Sequence, residues 1–187
     1  MKKKIAVFAS GNGSNFEAIA DACKKNLING ETVLCVCDHP GAYVTQRAKK
    51  HGIAVLELRP KSFNSKVDYE TRILEELKKM EVEFICLAGY MRIVGPTLLE
   101  AYKDKIINIH PSLLPSFPGV DAIGQALSYG VKVFGVTVHF VDETLDGGKI
   151  ISQVAVHYDG RDRETIEAII HAHEHAIYVE TLKKLLA

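Results

Sequence analysis

The stretch KIAVFASGNGSNFEAI, residues 4–19, joins an unbroken apolar run from Ile5 to Ala9 to a polar, glycine-containing turn and then to a helical pattern. Continuous apolarity, as opposed to alternation, is what a parallel strand needs when helices cover both faces of its sheet. The same signature returns in TVLCVCD (32–38), AVLEL (54–58), FICLAG (84–89) and IINIH (106–110). Helical patterns near 15–26, 41–51, 66–81 and 95–104 separate these runs, each long enough for a right-handed crossover. The series reads as a doubly wound, mostly parallel α/β sheet. After residue 119 the pattern changes to a helix near 120–129, strands near 132–141 and 149–156, and a final helix from about 163. No repeat or linker interrupts it, so a single domain over 1–187 is expected.

Composition narrows the function classes. With 187 residues, 47% of them apolar, the chain can bury a core without staples; a domain of this size hides roughly 70% of the surface its unfolded form exposes. Lys plus Arg and Asp plus Glu stand at 23 each, so there is no electrostatic footprint of a nucleic-acid or membrane binder, and small molecules are the expected partners. Cys23, Cys35, Cys37 and Cys86 form no CxxC pair and three lie in apolar runs, which fits a reducing compartment. The opening MKKKIAVFAS gives way too early to polar residues for a signal peptide. No apolar run approaches the roughly 18 residues of a spanning helix. A cytoplasmic protein is expected.

Open α/β sheets bind ligands beyond the carboxyl ends of their strands, and the unusual segments fall there. In SGNGSN, Gly11 and Gly13 allow close backbone approach, Ser14 or Asn15 can cap the helix, and the helix N-terminus offers N–H groups to an anion such as phosphate. Phe16 stands where a dinucleotide fingerprint needs a third glycine, and no Lys followed by Ser or Thr completes an NTPase loop. In NIHPSLLPSFPG (108–119), Pro111, Pro115 and Pro118 restrict themselves and their predecessors, so the loop has little freedom to lose. Asn108 and His110 are two apart on a strand and project to one face, an amide donor beside an acid/base group.

Two further segments carry titratable groups. GVTVHFVDETLDGGKII (135–151) reads as strand, acidic turn and strand; His139 has apolar neighbours, and one carboxylate of the turn can orient and charge an imidazole. HAHEH (171–175) lies in the last helix and contains HxxEH, a zinc-protease pattern. Helical spacing sets His171, Glu174, His175 and Tyr178 on one face and His173 with Ile166, Ile169, Ile170 and Ile177 on the apolar stripe. Zinc needs a third protein ligand, and the only carboxylate after His175 is Glu180 in the same helix, so a polar face turned to the crevice is the better reading.

Together SGNGSN, LAGYMRI, NIHPSLLPSFPG and GVTVHFVDETLDGG resemble, in order and spacing, the phosphoribosylglycinamide formyltransferase family of folate-dependent purine-synthesis enzymes, over essentially the whole chain. HPSLLP by itself is shared with methionyl-tRNA formyltransferase and formyltetrahydrofolate deformylase, whose additional domains do not fit in 187 residues. The resemblance implies a Rossmann-like formyltransferase fold. Its N-terminal half, about 1–105, would bind phosphate and ribonucleotide, and its C-terminal half, about 106–187, would carry folate-binding and catalytic loops. It implies transfer of a formyl group from 10-formyltetrahydrofolate, a co-substrate, to the amine of 5'-phosphoribosylglycinamide, without a metal. By resemblance Asn108, His110 and Asp146 are the catalytic trio, and Gly13, Ser14 and Asn15 hold the phosphate. His171, Ala172, His173 and Glu174 lie beside the ribonucleotide, with Glu174 near the ribose hydroxyls. Met91, Arg92, Ile93 and Val94, with Asn108 and the loop Asp142, Glu143, Thr144, Leu145 and Asp146, enclose the folate, and Lys66 meets its glutamate tail. Ile123 and Gly124 depart from the His and polar residue that many members carry after FPG. A monomer and a homodimer both stay open.

Two rivals are defined by residues. A non-catalytic nucleotide-binding module would use the same turn but tolerate replacement of Asn108 and His110. A dehydrogenase would use Asp38, at the end of TVLCVCD, against a ribose.

Overall fold

The computed structural model describes residues 1–187. The chain alternates β1 (Lys3–Ala9), α1 (Ser14–Lys24), β2 (Gly30–Cys37), α2 (Tyr43–Lys50), β3 (Ala54–Glu57), α3 (Lys66–Lys79), β4 (Phe84–Leu87), α4 (Pro96–Ala101) and β5 (Ile106–His110). There follow α5 (Ala122–Tyr129), β6 (Val133–Phe140), β7 (Ile150–His157) and α6 (Arg163–Leu185). One seven-stranded sheet runs β3-β2-β1-β4-β5-β6-β7. Strands β3 to β5 in that order are parallel, and β6 and β7 return antiparallel. The sheet is therefore doubly wound and mostly parallel, in a single domain.

Each expected element is present, with ends trimmed for local reasons. A helix from 41 gives way to one from Tyr43 because Gly41 has φ 86, and α4 stops at Ala101 where Tyr102 leaves helical dihedrals with φ −122. A short 3-10 turn at Pro60–Ser62, not expected from the pattern, carries the chain from β3 to α3.

The apolar runs are buried on both sides. In β1, Ile5, Val7 and Ala9 join the core under α1 and α6, while Ala6 and Phe8 join the opposite core under α3 and α4. Period-two geometry splits one run between two cores, so no strand position in it can be polar. In β7, at the edge, most positions are partly or fully exposed.

The last helix is fastened to the neighbouring central strands β4 and β5. Tyr178, with no exposed surface, donates its hydroxyl to the carbonyl of Leu87 at 2.8 Å, with the Ile107 carbonyl at 3.3 Å. Burial pushes its pKa well above the ordinary tyrosine value, so the hydroxyl stays a donor. The buried stripe of α6 is Ile166, Ile170, Glu174, Tyr178 and Leu182, in steps of four. This corrects the helical-wheel assignment: Ile166 and Ile170 share the face of Glu174, and His173 does not belong with them. The reason is that α6 lies along the sheet with its i, i+4 ridge inward, so the sheet, not the apolar count, selects the face.

Tyr178→Phe leaves the carbonyl of Leu87, the last residue of β4, without this donor. It is expected to lower the unfolding free energy by about 1–3 kcal/mol, read as a lower denaturant midpoint at unchanged slope.

Candidate active site

A cleft of about 810 Å3 opens beyond the carboxyl ends of β1, β4 and β5. The glycine-containing turn after β1, the loop after β4, the end of β5 and the loop after β6 all line it. The turn Gly11–Asn15 is braced from outside: Arg47 donates through Nε to the Asn12 carbonyl at 2.9 Å and through Nη2 to Asn12 Oδ1 at 3.0 Å. Gly13 itself is the helix cap, in the left-handed region at φ 79, and no side chain caps α1. Neither Ser14 nor Asn15 therefore acts as the cap expected from sequence. Asn15 instead donates to Glu174 Oε2 at 3.3 Å, and the first N–H groups of the helix are left for a ligand.

The strand register builds the chemical centre. β5 pairs with β6 so that Asn108 faces His139 and His110 faces Thr137. The His139 Nδ1 lies 2.8 Å from the Phe140 carbonyl, which only accepts, so Nδ1 carries the hydrogen. In the neutral ring Nε2 is then an acceptor, and Asn108 donates to it at 3.2 Å. Burial, the dominant cause, pushes the His139 pKa below the ordinary value and keeps the ring neutral. One amide N–H of Asn108 is thus fixed on the protein, and the other is available to a ligand in the cleft.

Across the strand, Thr137 holds the proline-rich loop. Its hydroxyl donates to the Ser112 carbonyl at 2.7 Å and accepts the Leu114 N–H at 3.1 Å, while Gln153 donates to the Leu114 carbonyl at 2.9 Å. The loop in turn fixes His110, whose Nε2 donates to the Phe117 carbonyl at 2.8 Å. The other nitrogen, Nδ1, stands 3.5 Å from Asp146 Oδ2. Asp146 is also held by the Gly119 N–H at 2.8 Å, and its Oδ1 is 3.8 Å from His139 Nε2. Asn108, His110, His139 and Asp146 form one hydrogen-bonded or ion-paired group facing the cleft.

The cleft also gathers Gly13, Ser14, Asn15, Met91, Arg92, Ile93, Val94, Asp142, Thr144, Leu145, His171 and Glu174. His171 Nδ1 donates to Glu174 at 2.7 Å, and this bond is the main cause that raises the His171 pKa. Four sequence candidates lie elsewhere. Ala172 and Glu143 are exposed outside the lining. Lys66 begins α3 beside Gly95 and Glu70. His173 overlooks a shallow groove with Ser152, Gln153 and Glu180, because successive helix positions differ by about 100° and, of residues 171–174, His171 and Glu174 are the ones that line the cleft. The sequence left His139 either as a plain strand residue or as an imidazole charged by a carboxylate of the acidic turn; its register instead sets it opposite Asn108, and burial outweighs the Asp146 carboxylate 3.8 Å away and keeps the ring neutral.

Asp38 is not available to a ribose: its side chain is 2% exposed and it does not line the cleft, which removes the feature on which a dehydrogenase reading depends. The side chains whose atoms converge as possible metal ligands are Glu17, Asp21 and His51, between α1 and α2. Arg47 already pairs with Glu17 there at 3.1 Å.

Residues 3–182 match the family described as Formyl transferase. The chain belongs to this family. It is 55% identical over 185 residues to a phosphoribosylglycinamide formyltransferase of Bacillus subtilis, covering 98% of this chain and 95% of the relative. An Escherichia coli protein of the same name is 40% identical over 93% of this chain and 82% of its own. The structure superposes on glycinamide ribonucleotide transformylase 1 from Geobacillus kaustophilus with a TM-score of 0.97 at 50% identity, covering 100% of both chains. Membership makes this chain a formyltransferase, and no helix in it is long and apolar enough to cross a membrane.

The neutral state of His139 has a pH signature. A folded-state pKa below the unfolded one means the unfolded chain takes the proton first, so the stability contribution is full above about pH 6.5 and falls as the pH drops toward the folded value. Between pH 7 and 5 the wild-type protein should lose more unfolding free energy than His139→Gln, which keeps an acceptor for Asn108 but does not titrate; urea melts at each pH measure the difference.

Proposed function

We propose that this chain transfers the formyl group of 10-formyltetrahydrofolate to the amine of 5'-phosphoribosylglycinamide, a step of de novo purine (IMP) synthesis in the cytoplasm. The observation that carries the proposal is the convergence of Asn108, His110 and Asp146 in a single cleft with the uncapped end of α1. The relatives' names, each a formyltransferase or transformylase acting on this ribonucleotide, supply the acceptor. The N-terminal half provides the phosphate turn and the C-terminal half the catalytic loops, with two crossings. Helix α6 returns Glu174 to the ribonucleotide end, and Met91, Arg92, Ile93 and Val94 reach the folate from the first half.

The cleft suits these two substrates. Gly11, Gly13 and the helix N–H groups offer an anion site, and Glu174, already bonded to Asn15 and His171, has acceptor capacity for ribose hydroxyls. At the folate end Met91 is 71% exposed, Ile93 63% and Leu145 58%, an apolar rim that a pterin and its aromatic ring would cover.

Attack of the amine on the formyl carbon generates an oxyanion and a positive nitrogen. Asn108 has one free N–H for the oxyanion, a contact of a kind worth about 2.7–4 kcal/mol of barrier. The proton held between His110 Nδ1 and Asp146 stabilises the same charge and is then delivered to the departing folate nitrogen, while the amine proton passes back to the pair. Neither a metal nor a covalent enzyme intermediate takes part in this sequence.

Activity is measured by the absorbance change of the folate product on mixing both substrates. His110→Asn and Asp146→Asn should each lower kcat by on the order of 10²–10⁴, and the double variant should lose far less than the product of the two, since the pair acts as a unit. Independent multiplication would separate Asp146 from the proton transfer. Full activity of Asn108 and His110 variants would favour a binding module.

The phosphate turn needs a variant that spares the fold. A Cβ on Gly13 would meet Val44 Cγ2 at 2.5 Å, but one on Gly11 meets nothing within 4 Å. Gly11→Val should therefore raise the KM for the ribonucleotide by on the order of tenfold or more with little change in the folate KM or in thermal stability, as steady-state kinetics and melting curves would report.

A further inference from the structure

Asp38, the first residue after β2, is a buried carboxylate that the mechanism leaves unused. Its Oδ1 has no hydrogen-bond partner. Two cationic or potentially cationic groups approach within 4 Å: Arg92, with Nη1 3.9 Å from Oδ2, and His39, with Nδ1 3.5 Å from Oδ1. His39 is 72% exposed, so Arg92 is the only permanent charge that faces this carboxylate. A buried carboxylate is tolerated when a cation and hydrogen-bond donors stay close to it, and is costly without them.

The surroundings fix the arginine from a second side. Its guanidinium carbon lies 5.9 Å from the centre of the Tyr69 ring, and the Tyr69 and Tyr90 hydroxyls share a hydrogen bond of 2.8 Å. Burial raises the pKa of both tyrosines, with Asp38 adding to it, so neither brings a competing anion to Arg92. A carboxylate and an aromatic face therefore hold one side of the guanidinium. Arg92 also lines the cleft, where its side chain is 45% exposed. The donors not turned to Asp38 are available on that side.

We propose that Asp38 is a positioning residue: through its ion pair with Arg92 it sets the orientation of the guanidinium in the cleft wall and so the affinity for the anionic end of the folate. The identity of the ligand rests on the function proposed above; the Asp38–Arg92 coupling does not. A long, half-exposed arginine loses much rotamer freedom when it captures a carboxylate, and one already held by Asp38 and Tyr69 has less to lose. The carboxylate at the end of β2 then serves the ligand site from behind its wall, without touching the ligand.

Asp38→Asn keeps size and removes charge. It should raise the KM for 10-formyltetrahydrofolate by on the order of tenfold, the scale of one weakened hydrogen bond to a charged group, with kcat and the ribonucleotide KM unchanged. The KM for 10-formyltetrahydropteroate, which lacks the glutamate, should not move. In an Arg92→Met background Asp38→Asn should add nothing. A direct readout uses a dicarbonyl reagent and peptide mass: in the wild-type protein Arg92 should label more slowly than Arg161, which is exposed and has no ion pair, and in Asp38→Asn it should label faster. Equal labelling of Arg92 and Arg161, equal effects on both substrates, or an undiminished Asp38→Asn effect without Arg92 would each overturn the proposal. If the wild-type protein transferred no formyl group, labelling would still decide the coupling.

Discussion

Strands covered on both faces leave little room for polar side chains away from their carboxyl-terminal halves. In β1 from Ile5 on and throughout β4 every position faces one of two cores, and in β5 Ile106, Ile107 and Ile109 do, which leaves Asn108 and His110 among its last three residues to carry chemistry. The parallel arrangement makes all those ends point the same way, and the loops that follow β1, β4 and β5 meet over one cleft. The two cores thus do more than stabilise the sheet: they exclude alternative positions for the site.

The change of direction after β5 supplies what parallel strands cannot. Antiparallel pairing sets residues of β6 directly opposite those of β5, close enough for side chains to bond. Two neighbouring pairs divide the labour: His139 orients the Asn108 amide, and Thr137 ties down the proline-rich loop that fixes His110. The prolines lower the disorder the loop must give up, while its hydrogen bonds to Thr137 and Gln153 choose the one conformation it keeps. Burial keeps His139 neutral, and beside it Nδ1 of His110 stands 3.5 Å from the carboxylate of Asp146.

Charge is managed in the same way at the cleft's edges. Glu174 is buried but bonded by Asn15 and His171, and Asp146 is bonded by the Gly119 N–H and faces His110. Glu174 and Asp146 are each thus held by a donor from a different part of the chain, which keeps the walls of the cleft in fixed relation to each other.

The sequence by itself determined the strand and helix series, because burial on both faces writes itself as unbroken apolar runs, and it determined the turn after β1, the stiff loop and the Asn108–His110 spacing, because these follow from local backbone geometry. It also carried the family, through motifs that span the chain. The tertiary structure alone decided which strand neighbours which, and with it the pairing of Asn108 with His139 and of Thr137 with the loop. It also decided which face of α6 turns inward, which removed His173 and Ala172 from the cleft, and it buried Asp38 behind Arg92. These outcomes depend on contacts between residues far apart in the chain, whose register and orientation are set by how the sheet is assembled and not by any local pattern of residues.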